Sequence, residues 1–135
     1  MPKFSKSSLT RLSSCHPDLI ALFKEVVKTW DCTIVCGHRG EEAQDIAYNT
    51  NRSQVKFPNS KHNVFPSSAV DVAPYYAGVG IDWEDKIGFA YFAGYVQATA
   101  QRMGIRLRWG GDFNGDLRGR GQSFVDMPHW ELILK

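Results

Sequence analysis

The chain has 135 residues, a formal net charge of +2, and 43% hydrophobic against 22% charged residues. This fits one soluble domain, residues 1–135, large enough to bury about two-thirds of its unfolded surface. No apolar run approaches the roughly 20 residues of a membrane span, and the near-neutral charge argues against a nucleic-acid binder. The opening "MPKFSKSSLTRLSSCHPDL" lacks the apolar stretch of a signal peptide, so folding in a cytoplasm is expected.

Residues 17–30, "PDLIALFKEVVKTW", predict a helix: Leu19, Leu22, Phe23, Val26, Val27 and Trp30 form one apolar stripe, and Pro17 suits a first turn. "TIVCG" predicts a short strand ended by Gly37, and "EEAQDIAYN" a short helix. Residues 50–68 are rich in Asn, Ser and Pro and predict a long loop, a kind that is usually functional or disordered. "AVDVAPY" predicts a strand stopped by Pro74. Residues 83–103 predict the longest helix, with Phe89, Phe92, Val96 and Met103 at helical spacing and Gly104 at its end. "IRLRWG" predicts a strand, "GDFNGDLRGRGQ" a run of turns, and "SFVDMPHWELIL" strand on both sides of Pro128. Helices and strands mix without a regular βαβ rhythm, which favours an α+β fold.

The low, odd cysteine count, Cys15, Cys32 and Cys36, fits reduced thiols. Cys32 and Cys36 lie four apart on one predicted strand, about 13 Å from each other. They can neither share a metal nor bond to each other while that strand persists, and they read as small core residues.

The chemistry gathers around Asp71. In "AVDVA" the alternation sends Val70 and Val72 to the core and Asp71 to the other face, beside small alanines. A buried carboxylate is costly unless paired. His62 can approach it across the loop, and "DMPHWEL" supplies Asp126, His129 and Glu131, with His129 and Glu131 on one strand face. Two imidazoles and a carboxylate are a familiar donor set for catalytic zinc, leaving a fourth position for water. Asp126, three residues before His129, is the candidate general base. Each piece alone is a weak signal; the combination is stronger.

These segments resemble the zinc D-Ala-D-Ala peptidase family, which includes VanY-like carboxypeptidases and shares its fold with the Hedgehog signalling domain. The resemblance rests on Ser60-Lys61-His62, on Ala69-Val70-Asp71, and on Asp126 to His129. "GHRGEEAQ", Gly37 to Gln44, is similar to the family's R-S-x-x-x-Q segment, and "RWGGDF" to the segment before the last motif. Small size and the missing signal peptide are most similar to phage endolysins of the L-alanyl-D-glutamate peptidase type.

The resemblance implies a small, mostly antiparallel sheet packed against helices. It implies one Zn2+ held by His62, Asp71 and His129, with Asp126 as general base. Arg39 or Gln44 would stabilise the oxyanion, and Ser60 and Glu131 would orient the histidines. It further implies a peptidoglycan substrate, a monomeric endolysin without nucleic-acid or membrane partners, and holin-assisted passage from the host cytoplasm to the periplasmic or external wall. Two features depart from the family pattern: the His62-to-Asp71 spacer has eight residues and no glycine, and Gly40 follows Arg39 where the family has Ser.

Three readings compete: an endopeptidase cutting L-Ala from D-Glu, a D-Ala-D-Ala carboxypeptidase, and a zinc-stabilised binding module without turnover. Asp126 favours the enzymes, since a structural site needs no base. Asp112, Asn114 and Asp116 alternate like the opening of a calcium loop, but position 12 is Ser123 where a Glu is needed, so a polar turn is favoured over a weak Ca2+ site. Arg106, Arg108, Arg118 and Arg120 read as a solvated face. His38 is a substrate contact or a structural residue, His16 a helix-start residue, and Trp83 and Trp109 core or groove wall.

Overall fold

A computed structural model describes residues 2–122 and 125–134. Helix α1 spans Lys6–Ser13, capped by the Ser5 hydroxyl accepting from Ser8 N. Helix α2, Pro17–Val26, starts on the proline, with His16 Nδ1 accepting from Asp18 N. Strand β1, Cys32–Cys36, leads into α3, Glu41–Asn49, whose two glutamates sit in the first turn where the helix dipole favours them. Strand β2 is Ala69–Pro74, α4 is Lys86–Arg102, β3 is Leu107–Trp109 and β4 is His129–Leu132.

The strands form one antiparallel sheet in the order β1-β2-β4-β3. One face packs on α2 and α4 through Leu19, Phe23, Val26, Val72, Phe92 and Trp130. Beside the edge strand β1, α1 satisfies backbone groups that an edge would leave open: Ser8 Oγ accepts from Ile34 N, and Arg11 donates to Ile34 O. No described helix is long and apolar enough to cross a membrane.

The structure differs from the sequence reading in several places, one being that α2 ends at Val26 rather than at Trp30. Helix α1 was not predicted. The longest helix begins at Lys86 rather than 83, because the Asp85 carboxylate caps it by accepting from Gly88 N. Strand before Pro128 is absent at 125 and 126, where the Asp126 amide instead donates to Gly110 O; Ser123 and Phe124 lie outside the described residues. In β2, Ala69 and Ala73 are as buried as the valines, so both faces of that strand are covered.

Candidate metal centre

The sheet register builds most of the site. Asp71 on β2 lies opposite His129 on β4 and opposite Cys36 on β1. Directly paired residues project to the same face, so thiol, carboxylate and imidazole stand in one row. The loop before β2 lays His62 over that row. Its ring is 5.2 Å from the His129 ring, centroid to centroid. The long spacer bulges outward at Val64 and Phe65, the latter edge-on to His38.

Both imidazoles are held in a defined tautomer. His62 Nδ1 donates to Gly37 O at 2.7 Å, which leaves Nε2 bare; the ring is 2% exposed. His129 Nε2 lies 2.8 Å from Glu131 Oε1, which leaves Nδ1 bare. A histidine that donates from one nitrogen to a carbonyl or carboxylate presents the other as a ligand. Both bare nitrogens face Asp71 Oδ1 at 3.3 Å. His62 Nε2 and Asp71 Oδ1 are buried without a hydrogen-bond partner. Such donors converging in a buried space repel unless a proton or a metal ion lies among them, so the donor set fits a cation.

The field favours positive charge at this point. Burial alone would lower His62, but the facing Asp71 and Cys36 raise it to about 10, so without a metal a proton sits on Nε2 and a bound cation would take its place. His129 is also raised against burial, by Asp71 and then Glu131. Burial pushes Asp71 up, yet the two imidazoles hold it well below the carboxylate range. Glu131, despite burial, is held down to about 2 by His129 and Lys61. Lys61 Nζ and Arg108 Nη1 reach Glu131 Oε2 at 3.0 and 3.3 Å, so the carboxylate behind His129 is fixed from both sides.

Asp126 belongs to the same cluster: one of its oxygens lies within 4.8 Å of donor atoms of Asp71 and His129. Burial, then the Asp71 charge, raise it to about 6. Its backbone is clamped by Gly110, which accepts from Asp126 N and donates to His129 O, each at 2.8 Å. A Cβ at Gly110 would come 1.9 Å from Asp126 O, so only glycine permits that approach.

Arg39 and Gln44, alternatives in the sequence reading, are separated by the structure. Arg39 Nη2 reaches Asp71 Oδ2 at 3.5 Å and lines the cleft. Gln44 is fully buried; it accepts from Arg39 Nη1 and donates to Ser53 and Val55 O, so it holds Arg39 in place. Ser60 accepts from the His62 backbone amide rather than from its ring. The ring's partner is the Gly37 carbonyl, which the sequence reading missed because a backbone group carries no residue signal. Asn63 was also missed; it donates to Arg39 O and Gln44 Oε1 and so ties the loop to the start of α3.

Two clefts meet at the centre, sharing Arg39, Arg52 and Asp126. One, about 400 Å³, is lined by Lys61, Phe113, His129 and Glu131; the other, about 700 Å³, by Asp71, Trp83, Val125 and Pro128. The Asp112–Gln122 turn touches this row through Phe113, whose ring lies 5.5 Å from that of His129, but its polar side chains bond within the turn. There Asp112 accepts from Leu117 N and Gln122 Nε2, Asn114 from Asp116 N and Gln122 Nε2, and Asp116 from Arg118 N. These oxygens are occupied by the turn itself; Ser123 is outside the described residues.

The family model described as phage L-alanyl-D-glutamate peptidase matches residues 1–133. Among solved structures, the chain is similar to the Serratia marcescens L-Ala D-Glu endopeptidase ChiX, with 26% identity and a TM-score of 0.75 over 97% of this chain and 90% of that one. No curated protein matches.

Proposed function

Since the chain belongs to the phage L-alanyl-D-glutamate peptidase family, we propose that it is a zinc-dependent endolysin whose whole length forms one catalytic domain. It hydrolyses the L-Ala–D-Glu bond of the peptidoglycan stem peptide, reaching the wall from the host cytoplasm once a holin opens the way. The observation that carries the metal reading is the buried, unpartnered pair His62 Nε2 and Asp71 Oδ1.

The zinc ion would be held by His62, Asp71 and His129. When bound, it supplies a Lewis acid that makes a water nucleophilic near neutral pH. The chain's own residues do the rest. Gly37 O and Glu131 fix the two imidazole tautomers. Asp126 takes the proton of the attacking water and returns it to the departing amine of D-Glu; burial and the Asp71 charge raise this carboxyl to about 6 before a metal binds, and a bound cation lowers it towards the base form. Arg39, braced by Gln44, donates to the carbonyl oxygen as its charge develops. A binding module without turnover would have no use for a base held in this way.

The test is metal content of the purified protein together with hydrolysis of purified peptidoglycan, with and without chelator. Near-stoichiometric zinc, activity lost on chelation and restored by zinc, and products with a new D-Glu amino terminus are expected. Release of free D-Ala instead would make the enzyme a carboxypeptidase, and well-folded protein without metal would end the zinc reading.

A further inference from the structure

The sheet brings another soft donor to the metal centre. Strand β1 carries a bulge between Ile34 and Cys36: Ile34 pairs with Val72, but Cys36, not Val35, pairs with Asp71. A bulge inserts one residue and re-aims the side chains beyond it. Cys36 thereby joins the Asp71–His129 row, and this corrects the reading of Cys36 as a core residue. Its sulfur, a ring nitrogen of His62 and an oxygen of Asp71 lie within 4.8 Å of one another. Tetrahedral zinc, with bonds of about 2.0 to 2.3 Å, asks for donor separations of roughly 3.5 Å, and His129 meets this group through Asp71, the residue it shares with the adjoining cluster.

A second observation points to the same ion. His62 Nε2 and Asp71 Oδ1, both in this group, are buried and unpartnered. Arg39 Nη2 lies 3.6 Å from the Cys36 sulfur, and a cation beside a thiol favours the thiolate that binds metals. Cys15 and Cys32 are 2% and 3% exposed and lie in the hydrophobic core.

We propose that Cys36 is a fourth protein donor to the metal, closing its coordination sphere in the resting protein. The proposal rests on the zinc reading above and adds to it. On binding, the S–H proton leaves to solvent, and the thiolate sulfur joins two imidazole nitrogens and a carboxylate oxygen around the ion. Four protein donors make a closed site, whereas hydrolysis needs one position open. The thiolate and the hydrolytic water therefore compete for one position, and the protein trades rate for retention of its ion.

The experiment loads wild type and Cys36→Ser with Co2+ in place of zinc and records the near-ultraviolet absorption. A thiolate bound to cobalt gives an intense sulfur-to-metal charge-transfer band that nitrogen and oxygen donors do not give. The band is expected in wild type and lost in Cys36→Ser at equal cobalt content. Competition with a chromophoric chelator is expected to show zinc affinity lower by about tenfold or more in the variant. Should Cys36→Ser fold poorly, the wild-type band alone decides, since Cys15 and Cys32 are in the core. Stoichiometric cobalt without the band in wild type overturns the proposal and leaves the three-donor peptidase reading standing. Failure of well-folded wild type to bind cobalt or zinc overturns both.

Discussion

Two regions of this chain carry the kind of residues that hold cations, and they behave in opposite ways. In the Asp112–Gln122 turn the side-chain oxygens accept from amides of the same turn or from Gln122. In the row formed by Cys36, Asp71 and His129, with His62 above it, ring nitrogens and a carboxylate oxygen converge, and two of those atoms find no hydrogen-bond partner. The turn uses its oxygens to fold itself; the row keeps donors in reserve. Oxygen-rich spacing alone does not mark a site. What marks it is a buried polar group that the fold leaves unsatisfied, since such a group costs about 1–3 kcal/mol unless a ligand takes it up. Among the described residues, Trp130 Nε1 is the other such atom, and it lies on the opposite face of β4 with no structural account.

The contrast can be broken most sharply at Asp71. Asp71→Asn removes the donor common to both triads of the centre. Metal content is expected to vanish and wall hydrolysis to fall about a thousandfold or more, the several kcal/mol of metal activation; retained zinc at full stoichiometry would move the site elsewhere. Asp126→Ala comes next. It is expected to keep its metal and lose about 10²- to 10⁴-fold in hydrolysis. The base must be ionised to act, so the rate falls as pH drops through its pKa of about 6, and a bound cation shifts that limb lower, never higher. An acid limb above neutrality would assign the proton to another group.

Glu131→Gln is a gentler cut. It weakens the carboxylate behind His129 and is expected to cost about 10- to 100-fold in metal affinity, read by chelator competition. The smallest effect is expected in the turn. Asp116→Asn should leave zinc content and hydrolysis unchanged and stability within about 0.5 kcal/mol; added calcium should not raise Tm. A calcium-dependent rise would erase the distinction between the two regions.

Much of this arrangement could be read from the sequence, and the exceptions have causes. The α3 segment was legible to the residue, because glutamates at its start and a polar break after it agree. The segment "KSSLTRLS" was not, because its buried face is Ser8 and Leu12 and its partner is the edge of β1, which no periodicity reports. His62, Asp71, His129 and Asp126 were legible as residue types at a spacing, and the structure brings all four together. Cys36 was misplaced because it was weighed only against Cys32 along one strand, and the bulge in β1 that pairs it with Asp71 leaves no sequence signal. Gln44 was legible as a motif position but not as a buried brace, since its partners Ser53, Val55 and Asn63 come from a loop without a pattern of its own.

Gly110 carries a consequence for heredity. It follows β3 and has no side chain to offer a ligand, yet a single methyl group there would collide with the backbone of Asp126. A lineage of this family could therefore lose this approach through one Gly110→Ala change while His62, Asp71, Asp126 and His129 all stay in place. Whether a homologue is alive or a fossil is thus recorded partly at a position that performs no chemistry.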